Sequence, residues 1–260
     1  MLGAIIGDIV GSRFEFNNTS SKDFKLFTKE CSFTDDTICT VAIADALISL
    51  KPYKEKVLEW CRKYPNPMGS YGGSFARWIR SSDPQPYNSF GNGAAMRVSP
   101  ISWWFLNEKD VLEQSEKTAL ISHNHAEGIK GAQCVAFAIS ILRNRVDNDT
   151  FIKNMNSFYP NFDKLDYPRG VFNETCPGTV PVCLKIILNS NSFENAIRNA
   201  IAFGGDSDTI GAIVGSMAEA KWGIPNDIYK QVFKYLPTDM LQVVGTFFEI
   251  LNNRYDIARL

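Results

Sequence analysis

An all-α fold, one compact multi-helix domain spanning 1–260, is predicted by three features of this sequence. Apolar residues recur at three- and four-residue spacing through most of the chain, and no alternating apolar/polar run persists to strand length. Pro/Gly/Asn-rich punctuation falls between those periodic segments, at 65–73, 81–93 and 159–178.

The helices follow in order. The first, 2–12, carries Gly3, Gly7 and Gly11 at four-residue spacing. The next, 35–50, starts after Thr34, with Asp35 and Asp36 in its first turn. Helices at 54–64, 72–80, 108–121 and 126–143 come next. Helix 148–158 is expected to be capped by Asp149-Thr150 before Phe151. Helix 178–190 precedes 193–203, which has Ser192 as cap and Glu194 in its first turn. Helix 208–222 is again small-sided, with Gly211 and Gly215 beside Ala212, Ser216 and Ala220. Helices 226–235 and 238–252 complete the set. Glycine weakens a helix by ~1 kcal/mol relative to alanine, so both glycine-bearing helices need an offset. Close backbone approach supplies one, either as tight packing alone or as crowding around a central site. The three loops are long for connectors, and long ordered loops on a helical scaffold are where sites are built.

Composition narrows the function. With 45% hydrophobic and 21% charged residues, the 260-residue chain has the balance of a globular protein. A net charge of -1, from 27 basic against 28 acidic residues, provides no long-range pull toward nucleic acid or an anionic membrane. A small phosphorylated ligand, held by a few local groups, stays open. None of the six cysteines forms a CxxC pair, which disfavours structural zinc and a disulfide framework and fits buried thiols in the cytoplasm. The opening MLGAIIGDIVGSR lacks a basic n-region and carries Asp8, so it reads as a folded helix. Apolar stretches are broken before ~18 residues, too short to span a membrane.

The chemistry concentrates in FTDDT (33–37) and GGDSDT (204–209), each placing two carboxylates and hydroxyls before a helix of small apolar residues. Either alone reads as an N-cap with acidic residues complementing the helix dipole. Together, Asp35, Asp36, Asp206 and Asp208 would bring four negative charges to one place. Like charges at ~4 Å repel by several kcal/mol at an effective dielectric near 20, and two divalent cations would cancel them. Oxygen-only donors, with Thr34 and Thr209 adding neutral ligands, suit magnesium or manganese rather than zinc. Glu15, just past the first helix, is a further carboxylate within reach. GNGAAMR (91–97) is a Gly-rich turn opening a helix, either a phosphate-binding turn through its backbone N–H groups or a plain Asn-Gly turn. His123 and His125, the two histidines, both precede helix 126–143, as caps or surface residues of that helix or as ligand-binding groups, and their spacing does not suit a shared metal on one helix face.

These stretches resemble the ADP-ribosylglycohydrolase family, of the dinitrogenase-reductase-activating type. GAIIGDIVGSRFEF, FTDDT, SYGGSFARWI, GNGAAMRVSP, SHNHAEGIKGA and GGDSDTIGAIVGSMAEA occur in the family's order from residue 3 to residue 220. The resemblance implies an all-α fold with two magnesium or manganese ions at the base of a cleft, held by Thr34, Asp35, Asp36, Asp206, Asp208 and Thr209. It implies an acidic gating or catalytic role for Glu15, with Asp36 or Asp206 as further candidates for the proton. It places Asn92, Gly93 and Met96 near the ribose and diphosphate, Tyr71 and Gly72 on a cleft loop, and His123 on the distal ribose, with His125 beside it. One departure is visible: some members carry an aspartate before the tyrosine-glycine pair, where this chain reads Pro67-Met68-Gly69-Ser70.

The activity so implied is hydrolysis at C1 of the distal ribose, releasing ADP-ribose from a modified protein or another ADP-ribose conjugate. An N-linked arginine acceptor is favoured because a departing guanidine is a strong base, with a pKa above ~12, and needs little help from an enzyme acid. Serine, nucleobase and small-metabolite linkages, a phosphoester hydrolase, and a non-catalytic ADP-ribose reader are the competing readings.

Overall fold

The computed structural model describes residues 1–255. Among them no strand forms; the β geometry present is an isolated antiparallel bridge between Gly91 and Thr175. Fourteen α-helices are described: α1 (Leu2–Gly11), α2 (Asp35–Ser49), α3 (Tyr53–Lys63), α4 (Gly73–Arg80), α5 (Gly93–Met96), α6 (Ser99–Trp104), α7 (Glu108–Leu120), α8 (Ala126–Arg143), α9 (Asn148–Met155), α10 (Cys176–Leu188), α11 (Phe193–Phe203), α12 (Ser207–Trp222), α13 (Asn226–Val232) and α14 (Thr238–Tyr255). None is long and apolar enough to cross a membrane.

At the centre lie α1 and α12. Every residue of α1 is buried, as is α12 from Ser207 to Glu219. Their apolar residues run all round rather than along one stripe, as a helix at the middle of a core requires. A Cβ on Gly7 would sit 1.8 Å from the carbonyl oxygen of Gly211, and one on Gly215 would sit 2.1 Å from that of Gly3. The two backbones therefore touch with no side chain between them, and this contact offsets the helix-weakening cost of glycine. Helices α2, α8, α10 and α11 surround the pair, and their buried residues join one apolar core.

The elements depart from expectation at a few places. Short helix α5 lies within 91–97, where the glycine turn is expected to open a helix, whereas α6 is not predicted by the sequence; α6 carries Pro100 in its first turn, where a missing N–H is harmless. Helix α10 begins at Cys176, because Thr175 caps it by accepting from Gly178 N and Pro177 occupies the first turn. Helix α9 is capped by Asp147, which accepts from Thr150 N at 2.8 Å, and not by Asp149-Thr150. Ser192 caps α11 as expected, accepting from Asn195 N.

Candidate active site

One cleft of about 400 Å³ opens over the starts of α2 and α12. All three long loops reach it: Ser70 and Gly72 from the first, Tyr87, Ser89, Phe90, Gly91 and Asn92 from the second, Phe172, Glu174 and Thr175 from the third. Asp35, Asp36, Asp206, Asp208, Thr209 and Glu15 line its base.

The start of α2 is fastened by Asp8, a wholly buried residue of α1. Its Oδ2 accepts from Thr34 N and Thr37 N, both at 3.0 Å. Its carboxylate also accepts the hydroxyls of Thr34, at 2.7 Å, and Thr37. Thr34 in turn accepts from Asp36 N as the N-cap. Because the Thr34 hydroxyl hydrogen is committed to Asp8, its remaining lone pair stays free for another partner. Thr34 itself is buried beneath the cleft surface.

Different partners hold the start of α12. The left-handed turn at Gly204-Gly205, φ 76° and 84°, lets the chain fold over Asn18. Asn18 Oδ1 accepts from Gly205 N at 2.7 Å, and its Nδ2 donates to Gly205 O at 2.9 Å. Asn92 Nδ2 donates to Asp206 Oδ2 at 2.6 Å and to Thr179 Oγ1 at 3.2 Å. The two starts meet directly, Thr209 Oγ1 donating to Asp36 Oδ2 at 3.2 Å.

Carboxylate oxygens of Glu15, Asp206 and Asp208 lie within 4.8 Å of one another. Burial, reinforced by Asp206, Asp8 and Glu174, pushes Glu15 up to about 7. Burial likewise raises Asp35, Asp36, Asp206 and Asp208 above the usual carboxylate range, with neighbouring carboxylates adding to the shift. Three oxygens here, Asp36 Oδ1, Asp208 Oδ1 and Glu15 Oε2, are buried without a hydrogen-bond partner. Orphaned anionic oxygens are costly, and hard oxygen donors crowded in this way fit a divalent cation. Glu15 also fills the space beside the loop that lacks an aspartate here: a Cβ on Gly69 would lie 2.4 Å from Glu15 Oε2.

Beside this cluster, Gly91, Asn92, Gly93 and Met96 line the cleft next to His123. His123 Nδ1 lies 2.7 Å from Ser122 Oγ, while its Nε2 points to the glycine turn, 3.2 Å from where a Gly93 Cβ would stand. Burial, then the nearby Arg97 guanidinium, lowers its pKa well below the ordinary histidine value, so the ring is neutral. Arg97 is fully buried, donating to Thr118 O and Ser122 Oγ.

Two residues sit apart from the other candidates. Gly72 lines the cleft, but Tyr71 does not; its hydroxyl donates to Tyr64 O at 2.8 Å and its ring packs edge-on against Phe75. His125 caps α8 by accepting from Glu127 N, and its ring lies 5.2 Å from that of Phe90. Residues not foreseen for the site include Asp8, Asn18, Phe172 and Glu174. Asp8 was legible as a lone charge within an apolar helix; the other three carry no sequence signal beyond lying in loops.

Comparison with known proteins agrees with this architecture. The family model for ADP-ribosylglycohydrolase matches residues 1–256. The ADP-ribosylarginine hydrolase Tri1 of Pseudomonas putida (strain GB-1) is 23% identical, over 86% of this chain and 70% of that protein. ADP-ribosylhydrolase ARH3 of Danio rerio is 22% identical, over 86% of this chain and 82% of that one. A solved structure described as an ADP-ribosylglycohydrolase-related protein complex superposes with a TM-score of 0.73 at 20% identity, covering 96% of this chain and 95% of its own. The match of the family model along nearly the whole chain, on a helical fold that superposes so fully, shows that the chain belongs to the ADP-ribosylglycohydrolase family.

Proposed function

We propose that this protein is a divalent-metal-dependent ADP-ribosyl hydrolase that cleaves the N-glycosidic bond between ADP-ribose and arginine. The observation that carries this is the junction of two acidic helix starts at the base of one cleft, with three buried carboxylate oxygens lacking protein partners. Two magnesium or manganese ions held by Asp35, Asp36, Asp206 and Asp208, with Thr34 and Thr209, would neutralise those charges and supply Lewis acidity toward the ribose hydroxyls and water.

The chain's own groups do the rest. Asn92 fixes Asp206 by its hydrogen bond, and Thr209 fixes Asp36. Neutral His123 presents Nε2 beside the glycine turn, where it exchanges a hydrogen bond with a ribose hydroxyl. In the Gly91–Gly93 turn, Gly91 N donates to Ser89 Oγ and Asn92 N to Glu174 O, so Gly93 N is the turn's donor toward the diphosphate. Glu15, at the edge of the carboxylate cluster and lining the cleft, is placed to take a proton from the attacking water and return it. Water adds at C1 of the distal ribose, the carbon–nitrogen bond breaks, and the guanidine leaves with the proton. Its high basicity makes that protonation easy, so the proton Glu15 took from water suffices and no second acid is needed. One relative is named an ADP-ribosylarginine hydrolase and another, without a stated linkage, ADP-ribosylhydrolase ARH3; the leaving-group argument favours arginine.

The test is release of ADP-ribose from matched arginine- and serine-linked peptides. Turnover should favour arginine, vanish in excess chelator and return with magnesium or manganese. Asp36→Asn and Asp208→Asn should each lower it at least about 100-fold with helical content retained. Faster cleavage of the serine peptide overturns the linkage; full activity in chelator, with no metal by elemental analysis, overturns the metal site.

A further inference from the structure

Two phenylalanines stand together at the mouth of the cleft. Phe172 lines it and Phe16 lies just outside, 43% and 76% exposed, with ring centroids 6.0 Å apart and planes inclined by 22°. Single exposed phenylalanines are ordinary. A near-parallel pair from two separate loops is not, and both loops are pinned to the same turn. Asn18 ties the Phe16 segment down, its Nδ2 donating to Phe14 O at 2.6 Å and to Gly205 O at 2.9 Å. The Phe172 segment passes so close to Gly205 that a Cβ there would lie 2.5 Å from Val171 O. Further along, Glu174 O accepts from Asn92 N at 2.7 Å. The pair is thus built into the rim by backbone anchors on both sides.

Its surroundings are anionic. Glu15 adjoins Phe16 in sequence, Glu174 follows Phe172 by two residues, and both carboxylates line the cleft. Exposed ring faces at the mouth of a cleft lined by carboxylates favour a flat cation, which stacks on the rings while the acids below attract its charge.

We propose that Phe16 and Phe172, flanked by Glu15 and Glu174, clamp the acceptor half of the substrate and select a planar cation of the guanidinium class. This rests on the cleft being an ADP-ribosyl hydrolase site, and not on which linkage turns over faster. Phe16→Leu and Phe172→Leu keep apolar bulk and remove the ring. Each should raise KM for an arginine-linked ADP-ribosyl peptide about five- to tenfold, the range of a cation–π contact. KM for the matched serine-linked peptide and the dissociation constant of free ADP-ribose should stay within about twofold, and Phe172→Trp should restore the arginine KM. Equal losses on both peptides, weakened free ADP-ribose, or unchanged KM would overturn the clamp. A wild-type protein that releases ADP-ribose from neither peptide sinks the hydrolase reading instead. Titration of the intact conjugates then decides the clamp: tighter binding of the arginine peptide, lost in both leucine variants, supports it, and equal binding in wild type refutes it.

Discussion

The two acidic helix starts look alike in sequence and are held in opposite ways. FTDDT is fastened from inside the core, by one buried carboxylate that takes four hydrogen bonds from Thr34 and Thr37. GGDSDT is fastened from the loops, by the neutral amides of Asn18 and Asn92 and by glycine turns. A charge on a central helix fixes its partner rigidly but costs much if mismatched. Amides on loops hold less tightly, and they tie the second start to the segments that line the cleft mouth. One half of the site is therefore a fixed reference, and the other is coupled to the walls that meet the substrate.

The largest effect should come from breaking the inner anchor. Asp8→Asn preserves shape but turns an acceptor toward donors that have nowhere else to go, at a cost of about 3 kcal/mol or more. Denaturant midpoints would read it, and a loss below about 1 kcal/mol would mean the inner anchor is no stronger than the outer one. Asn18→Ala should cost less, about 1–2 kcal/mol for its hydrogen bonds to Gly205 and Phe14. If both variants lose the same amount, the contrast between the anchors fails.

A smaller effect, of a few degrees, is expected from pH. In the metal-free protein Asp8 is raised to about 6 and Glu15 to about 7, each chiefly by burial, with the aspartates of both starts raised as well. Acids with raised folded pKa values bind protons more readily in the native state, so the stability they give is present at low pH and lost as pH rises through those values. Thermal midpoints measured in chelator should fall between about pH 5 and pH 7.5. A midpoint that rises over that window would show that the carboxylates are relieved by groups other than a cation.

Much of this arrangement was legible beforehand, and the reasons differ by residue. Thr34 and Ser192 were readable as caps because a cap is a local interaction, decided within three residues. That α1 and α12 each need a close backbone approach was legible because glycine at four-residue spacing has few other uses in a helix; that they supply it to each other is visible only in the fold. Asp147 was missed as the cap of α9 since Asp147, Asp149 and Thr150 are all competent, and geometry chooses among them. Helix α6 is too short for periodicity to register. Tyr71 and His125 illustrate the limit at the site: their sequence neighbours enter the cleft, while their own polar atoms are spent on Tyr64 O and on the N-terminus of α8. Phe16 and Phe172 lie far apart in the chain, and only the folded turn at Gly205 brings them together.

The glycine seam between α1 and α12 also sets what this scaffold can become. At Gly7 the smallest possible side chain would collide with the backbone of Gly211, and at Gly215 with that of Gly3. Neither helix can step aside without moving Asp8 or Asp208, which lie on the same two helices. Variation that survives must therefore accumulate elsewhere, in the segments at 12–34, 65–73, 81–93 and 159–178. A lineage built on this core has a frozen floor and an editable rim, so new acceptor preferences can arise by changing loops without the chemistry being reinvented.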